Sequence, residues 1–202
     1  MKRVLVACEF SGVIRDAFLR HGHDAWSCDL EETEIETDRH YVRDVMELED
    51  LCWDLVIAHP PCTYLCNSGV RWLVANGPEV PERWERMREA AAFFRSFQEW
   101  KVPQIAIENP VMHSYAQERI EKWPVCTTQP WQFGHLKKKK TCWWLKGLPP
   151  LVPETDLLEE TEQLPERLQQ RGYFDSSKER AKVRSRTLPG VADAIARQWG
   201  AA

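Results

Sequence analysis

Two short segments combine residue types that can carry out catalysis. In Pro60-Pro61-Cys62 two prolines stiffen the chain before a cysteine. A cysteine is a strong nucleophile when a cationic or polar neighbourhood stabilises its thiolate. In Glu108-Asn109-Pro110 a carboxylate ends an apolar run, where partial burial could raise its pKa so that it donates a proton to a ring nitrogen. The ordinary alternatives are a small apolar residue after a turn for Cys62, and an acid bonded to a loop amide or an arginine for Glu108.

The elements that must position these segments alternate between short apolar runs and helical periodicity. This pattern predicts an α/β fold with a doubly wound, mostly parallel sheet. Strands are predicted at residues 3–8, 24–30, 41–45, 54–58 and 103–108, with an antiparallel pair at 126–133 and 140–145. Helices are predicted at 13–21, 81–100, 115–121 and 189–199.

Every unusual motif falls at the end of a predicted strand. Glu9-Phe10-Ser11-Gly12 follows the first strand, Asp29 ends the second and Asp44 lies near the third. His59-Pro60-Pro61-Cys62 follows the fourth, and Glu108 ends the fifth. Because ligands of open α/β sheets bind outside the carboxyl ends of the strands, we expect one composite site.

Composition bounds the class of protein. The chain has 202 residues, enough for one domain with a full core, and a formal net charge of −4. This charge excludes a wholly basic nucleic-acid binder, so contact with a polyanion needs a local basic patch. No apolar run is long enough to span a bilayer, and neither a signal peptide nor a membrane partner is expected.

Seven cysteines without secretory context predict free thiols in the cytoplasm, with Cys8, Cys28 and Cys52 in the core. Cys62 and Cys66 form a single pair with no second pair at finger-like spacing, so no metal is expected.

Two basic segments could contact phosphate. Lys137, Lys138, Lys139 and Lys140 follow one another directly, and a solvated turn is the alternative. A second segment alternates Lys178, Arg180, Lys182, Arg184 and Arg186 before the last helix. Trp131, Trp143 and Trp144 flank the lysines and could stack on a base, although core packing explains them equally well.

Taken together, these segments resemble the DNA cytosine-C5 methyltransferase family, in a compact form of the kind that phages carry. Residues 7–12 resemble the motif that binds S-adenosylmethionine, residues 54–69 the Pro-Pro-Cys motif, and residues 105–110 the Glu-Asn-Val motif. Residues 133–141 resemble the segment that usually reads Tyr-Gly-x-Pro-Gln-x-Arg-x-Arg, and residues 185–199 the closing helix. The resemblance implies a Rossmann-like fold of the S-adenosylmethionine-dependent methyltransferase type.

It also implies a mechanism. Cys62 would attack carbon 6 of a cytosine in DNA, Glu108 would bond to ring N3 and the exocyclic amine, and carbon 5 would take the methyl group. A duplex substrate would require base flipping. Asn109 would hold the proline loop and Lys139 would complete the catalytic set. The cofactor would lie on Glu9, Phe10, Ser11, Gly12 and Pro60, with Asp29 on its ribose and Asp44 on its adenine amine. The substrate would contact Pro61, Ser68, Lys137, Lys138, Lys140, Arg184 and Arg186.

The chain departs from the family pattern in three places. The first motif has one glycine where the family has two, and lysines replace arginines, whose bidentate fork they cannot form. Only about 45 residues separate Thr141 from Arg186, so an acidic excursion at 146–177 stands where the family has a target-recognition domain. A partner protein could then supply recognition.

Four alternatives therefore remain. The first is modification of a free cytosine nucleotide, and the second is transfer of another group to carbon 5. The third is an inactive relative that binds DNA. The fourth is an amino methyltransferase, whose usual Asp-Pro-Pro-Tyr loop differs from the one at residues 59–62.

Overall fold

One twisted sheet organises the chain. The computed structural model describes residues 1–70, 73, 80–170 and 182–202, without the side chains of residues 68 and 70. The described strands are β1 Arg3–Ala7, β2 Asp24–Asp29, β3 His40–Val42, β4 Leu55–Ala58, β5 Gln104–Pro110, β6 Cys126–Thr128 and β7 Thr141–Lys146. Their order is β3-β2-β1-β4-β5-β7-β6. The first five strands run parallel, and β7 is antiparallel to both of its neighbours.

Helices cover both faces of this sheet. The described helices are α1 Val13–Arg20, α2 Asn67–Val70, α3 Pro81–Glu99, α4 Ser114–Ile120, α5 Leu158–Gln163, α6 Glu166–Gln169 and α7 Pro189–Ala201. Helices α1 and α7 pack on one face, while α3 and α4 pack on the other. The expected fold class is confirmed: it is a doubly wound, mostly parallel sheet of the Rossmann-like type that the resemblance implies.

Two hydrophobic cores, one on each face, explain why the central strands appear as continuous apolar runs. Along β1, Val4 and Val6 point to the α1/α7 face, whereas Leu5 and Ala7 point to the α3 face. All four are fully buried. Strands buried on both faces need apolar residues at every position, not at alternate ones. The central sheet therefore holds the strand ends rigidly.

Three details correct the sequence-based expectations. Strand β6 ends at Thr128, because residues 130–133 form a 3-10 turn that begins with a proline. Cys52 is exposed and has φ of 55°, so its assignment to the core is wrong. Cys28 is buried as expected, while Cys8 is only half-buried.

No helix among the described residues is long and apolar enough to cross a membrane.

Candidate functional site

The strand order reverses between β1 and β4, and the motif residues lie at this point. Strand β4 pairs with β1 on one side and with β5 on the other. The parallel register aligns Ala7 with Ala58, and Ala58 with Ile107. Glu9 and His59 therefore lie just beyond the carboxyl ends of β1 and β4, and Glu108 lies near the carboxyl end of β5, at the same edge of the sheet. Ligands of open α/β sheets bind at such a reversal.

Asn109 fixes the proline loop to β5. Its side chain is fully buried, and Nδ2 donates a hydrogen bond to the carbonyl oxygen of Pro60 at 3.1 Å. This is the contact that the resemblance implies for Asn109. Beyond the prolines, the carbonyl of Cys62 accepts hydrogen bonds from the amides of Leu65 and Cys66, both at 3.0 Å. The loop is thus held at both ends, and the Cys62 backbone has a defined position.

The surroundings of Cys62 keep its sulfur protonated in the resting protein. A hydrogen bond with the Cys66 side chain, burial and the charge of Glu108 all raise the pKa of the Cys62 thiol, while Lys139 opposes them. The pKa lies above its ordinary value because the first three effects outweigh the fourth. A nucleophilic role therefore requires a group that removes the thiol proton when substrate is bound.

Glu108 is hydrogen-bonded to His59, a residue to which the sequence analysis assigned no role. Its Oε2 lies 3.2 Å from Nδ1 of His59, and the two side chains are only 14% and 11% exposed. Burial raises the pKa of Glu108, but Lys139 and His59 outweigh burial, so the pKa lies below its ordinary value and the expected upward shift is wrong. Within the described part of the chain, the buried Oε1 of Glu108 and Nε2 of His59 have no hydrogen-bond partner. The signal in the sequence was a histidine directly before the two prolines.

Glu108 faces a small cavity that adjoins a larger basic cleft. The cavity measures about 30 Å³ and is lined by residues that include Glu108, Lys139, Trp143 and Arg186. The neighbouring cleft measures about 610 Å³ and is lined by Gln129, Lys138, Lys139, Lys140, Glu166, Gln169, Gln170 and Arg184. Gln129 and Lys139 line both spaces, so the basic cleft adjoins the cavity of Glu108.

The acidic excursion contacts the lysine run. Lys138 forms an ion pair with Glu162 at 3.0 Å, and its backbone amide donates to the carbonyl of Gln169 at 2.8 Å. The ammonium of Lys137 donates to the carbonyl of Leu168. Lys139 donates to the carbonyl of Arg184 at 3.1 Å, and Lys140 is exposed. The lysines are thus held in place, and a phosphate would compete with Glu162 for Lys138.

On the other side of the strand reversal, the Glu9 carboxylate caps the N-terminus of α1 by bonding to amides of its first turn. Its buried carboxylate accepts hydrogen bonds from the amide of Ile14 at 2.8 Å, the amide of Arg15 at 3.4 Å and the hydroxyl of Ser11 at 3.2 Å. Burial raises the pKa of Glu9 despite these bonds. Gly12 adopts φ of 70°, and a side chain there would collide with the Arg15 guanidinium. The turn at 9–12 is therefore fixed by its own polar groups.

The two other acids at this edge also bond to neighbouring backbone. Asp29 accepts from the amide of Glu31 at 3.0 Å, and burial raises its pKa. Asp44 is exposed and accepts from the amide of Met46 at 3.0 Å, where it caps a 3-10 turn. Asp29 thus remains at the mouth of the site, while one oxygen of Asp44 is bonded within its own turn.

The segment before α7 folds over the turn at 9–12. Arg186 forms two hydrogen bonds to the carboxylate of Glu34, at 2.7 and 2.5 Å, and the Glu34 amide donates to the carbonyl of Phe10. The Lys182 ammonium lies 4.9 Å from the centre of the Phe10 ring. Arg186 therefore touches both sides of the site, since it also lines the cavity of Glu108.

The structure brings together most of the residues that the sequence singled out. Cys62, Glu108, Asn109 and Lys139 form one cluster, with Pro60 beside them. The side chain of Ser68, and the whole of Lys178 and Arg180, lie outside the described residues. In the part of the chain that the structure covers, no group of three His, Cys, Asp or Glu could hold a metal ion.

Comparisons with known proteins leave the function to be argued from these residues. The sequence matches no protein-family model and no curated protein. Among solved structures, the chain is similar to a provisionally assigned DNA modification methyltransferase encoded within an E. coli prophage, with a TM-score of 0.47 and 14% identity. The match covers 72% of this chain and 46% of that one, so the chain spans less than half of that protein's length. A likeness at this level carries no argument about activity.

Proposed function

We propose that this protein transfers a methyl group from S-adenosylmethionine to carbon 5 of cytosine in DNA, through a transient bond between Cys62 and carbon 6. One observation carries the proposal: the buried carboxylate of Glu108, with Oε1 left unpaired by the described residues, faces a cavity that it shares with Lys139. Cys62 lies close enough for Glu108 to influence its thiol. Glu108 and Lys139 line the cavity, and the Cys62 thiol lies outside its lining but within the electrostatic reach of both. An acid, a thiol and a cation this close to one another suit addition to a pyrimidine ring.

The strand ends beside this cluster suit the cofactor. Asp29 presents a half-buried carboxylate at the end of β2, and carboxylates at that position accept hydrogen bonds from ribose hydroxyls. Gly12 makes a left-handed turn at the end of β1, and the Arg15 guanidinium fills the space that a side chain there would take. The Glu9 carboxylate already accepts three hydrogen bonds from its own turn, so we assign it to shaping the turn. When bound, S-adenosylmethionine supplies an electrophilic methyl group.

Glu108 also answers the need for a base that removes the Cys62 proton. Its pKa is lowered and that of the Cys62 thiol is raised, so both oppose proton transfer before substrate binds. The Glu108 carboxylate therefore relays the thiol proton to ring N3 only in concert with formation of the bond between sulfur and carbon 6. Carbon 5 then carries the electron pair that attacks the methyl group. Loss of the carbon 5 proton to a base expels the sulfur as a thiolate, and the N3 proton returns through Glu108 to that thiolate, which restores the ring and the thiol. Asn109 holds the loop that carries the thiol throughout.

Substrate binding must enlarge the site. A pyrimidine ring does not fit a cavity of about 30 Å³, so the long side chains of Lys139 and Arg186 have to move when the base enters. A cytosine in a duplex would have to leave its stack to reach Glu108. Its phosphate would lie in the basic cleft, where Lys138, Lys140 and Arg184 provide charge.

A covalent trap tests this function. The protein is incubated with S-adenosylmethionine and an oligonucleotide that contains 5-fluorocytosine, from which fluorine cannot leave as a proton does. We expect an adduct that survives denaturation and maps to Cys62 by peptide mass spectrometry, and none with cytosine in its place. An adduct at another residue, or no adduct while cofactor binds, would contradict the covalent mechanism.

A free cytosine nucleotide is the second candidate substrate. Helices α5 and α6 of the excursion contact the lysine run, and residues of α6 line the basic cleft of about 610 Å³. A cleft of this size favours a small phosphate-bearing substrate. Assays with duplex DNA, single-stranded DNA and deoxycytidine monophosphate, followed by mass spectrometry of the product base, separate the candidates. The mass of the added group also tests whether it is methyl.

A further inference from the structure

His59 occupies the centre of the site, between two buried carboxylates. It follows β4, so Glu108 of β5 lies on one side and Glu9, after β1, on the other. Both carboxylates are stabilised by the charge that His59 carries when protonated. From β7, the ring of Trp143 contacts the imidazole edge-on, with the ring centres 6.5 Å apart. Lys139 is the other charged group that acts on Glu108 from this side.

The hydrogen bond to Glu108 determines where the ring proton lies. An ionised carboxylate only accepts hydrogen bonds, so Nδ1 of His59, 3.2 Å from Oε2, must be the protonated nitrogen. This assignment follows from the bonding pattern. The other ring nitrogen, Nε2, is buried, and no described residue bonds to it.

We propose that His59 is a positioning residue that selects the oxygen of Glu108 that faces the substrate base. Because Nδ1–H holds Oε2, a proton on Glu108 must sit on Oε1, the oxygen that the described residues leave unpaired. A carboxyl group without this bond could rotate and present either oxygen. The inference rests on the proposed function, since ring N3 is the group that Oε1 would serve.

Two substitutions separate the hydrogen bond from the imidazole itself. His59→Asn keeps an N–H donor close to the position of Nδ1, while His59→Leu keeps bulk but donates nothing. His21→Asn is the matched control, because His21 also bonds to a carboxylate, Asp193 at 3.0 Å, and lies on the α1/α7 surface. All variants are first compared with the wild-type protein for stability and cofactor binding.

Kinetics and nitrogen NMR then test the proposal together. We expect His59→Leu to lower kcat about 10–100-fold with little change in KM, which is less than the 10²–10⁴-fold typical of a positioned acid itself. His59→Asn should recover most of that loss. In both variants the limb of the pH–kcat profile that reports Glu108 should move to higher pH, because His59 no longer lowers that pKa. Nitrogen shifts of wild-type His59 should show a protonated Nδ1 that responds to Glu108→Gln.

Each failure has a distinct signature. The positioning role is overturned if NMR shows that Nε2 of His59 is protonated and Nδ1 is not. It is also overturned if His59→Asn and His59→Leu lose kcat equally and the pH profile does not move. Both conclusions hold even if the protein methylates cytosine. A wild-type protein that binds cofactor but modifies no cytosine substrate overturns the proposed function and the role of His59 in it. The NMR result then still shows whether the pair exists.

Discussion

The two sides of the strand reversal use their carboxylates in opposite ways. On the side of β1 and β2, Glu9 and Asp29 accept hydrogen bonds from backbone amides two to six residues away. On the side of β4 and β5, Glu108 bonds to a side chain 49 residues away in the sequence. Three side-chain atoms there, His59 Nε2, Glu108 Oε1 and Asn109 Oδ1, are buried and find no partner among the described residues, compared with one, Nη2 of Arg15, beside the turn at 9–12.

This difference separates a turn that stabilises itself from a site that awaits a ligand. Buried polar atoms without partners are costly, and they persist where a bound group completes their hydrogen bonds. The pKa values follow the same division: that of Glu9 is raised by burial, whereas that of Glu108 is lowered because Lys139 and His59 outweigh burial. On the side of β4 and β5, Glu108 is thus held in its ionised form before a ligand arrives.

The largest effect should come from the thiol on the side of β4 and β5. Cys62→Ala is expected to abolish turnover while cofactor affinity, measured by calorimetry, stays near that of the wild-type protein. Cys52→Ala is the matched control, because Cys52 is exposed. Full turnover by Cys62→Ala would remove the covalent mechanism and leave the cluster around Glu108 without a nucleophile.

Much of the fold could be predicted from the sequence, because central parallel strands buried on both faces need unbroken apolar runs. The motif at 9–12 was also visible, since its bonds are local. The pair of His59 and Glu108 depends on the register of β4 and β5, which no local pattern encodes. Likewise, the bond between Arg186 and Glu34 joins residues 152 positions apart. Exposure of Cys52 was missed because its neighbours are apolar in sequence but lie in a turn.

The two buried glutamates should give opposite pH dependence of stability. For Glu9 the folded pKa is raised, so its contribution is greatest below the ordinary value of 4.5 and is lost as pH rises through the folded pKa. For Glu108 the folded pKa is lowered, so its contribution is present above 4.5 and is lost as pH falls through the folded pKa. Urea unfolding from pH 3 to 8 of wild-type protein, Glu9→Gln and Glu108→Gln measures both.

The expected result is a difference of slope. Relative to Glu9→Gln, the wild-type protein should lose stability as pH rises above 4.5; relative to Glu108→Gln, it should lose stability as pH falls below 4.5. Glu99→Gln, which removes an exposed carboxylate at the end of α3, is the control for the loss of one acid outside the site. Slopes of the same sign for both variants would mean that the two sides of the site do not differ electrostatically.

The smallest effect should come from the lysines beside the site. If the basic cleft holds phosphate, each lysine contact releases counterions, so Lys138→Ala with Lys140→Ala should reduce the slope of log affinity against log salt by roughly 2. The double variant Lys101→Ala with Lys146→Ala is the charge-matched control. Lys101 lies just before β5 and Lys146 ends β7, so both lie at the edge of the sheet away from the site. Filter binding of a cytosine-containing duplex at several salt concentrations gives both slopes. Equal slopes for the two double variants would show that the lysine run is a solvated turn, and the region prepared for a ligand would then end at Glu108.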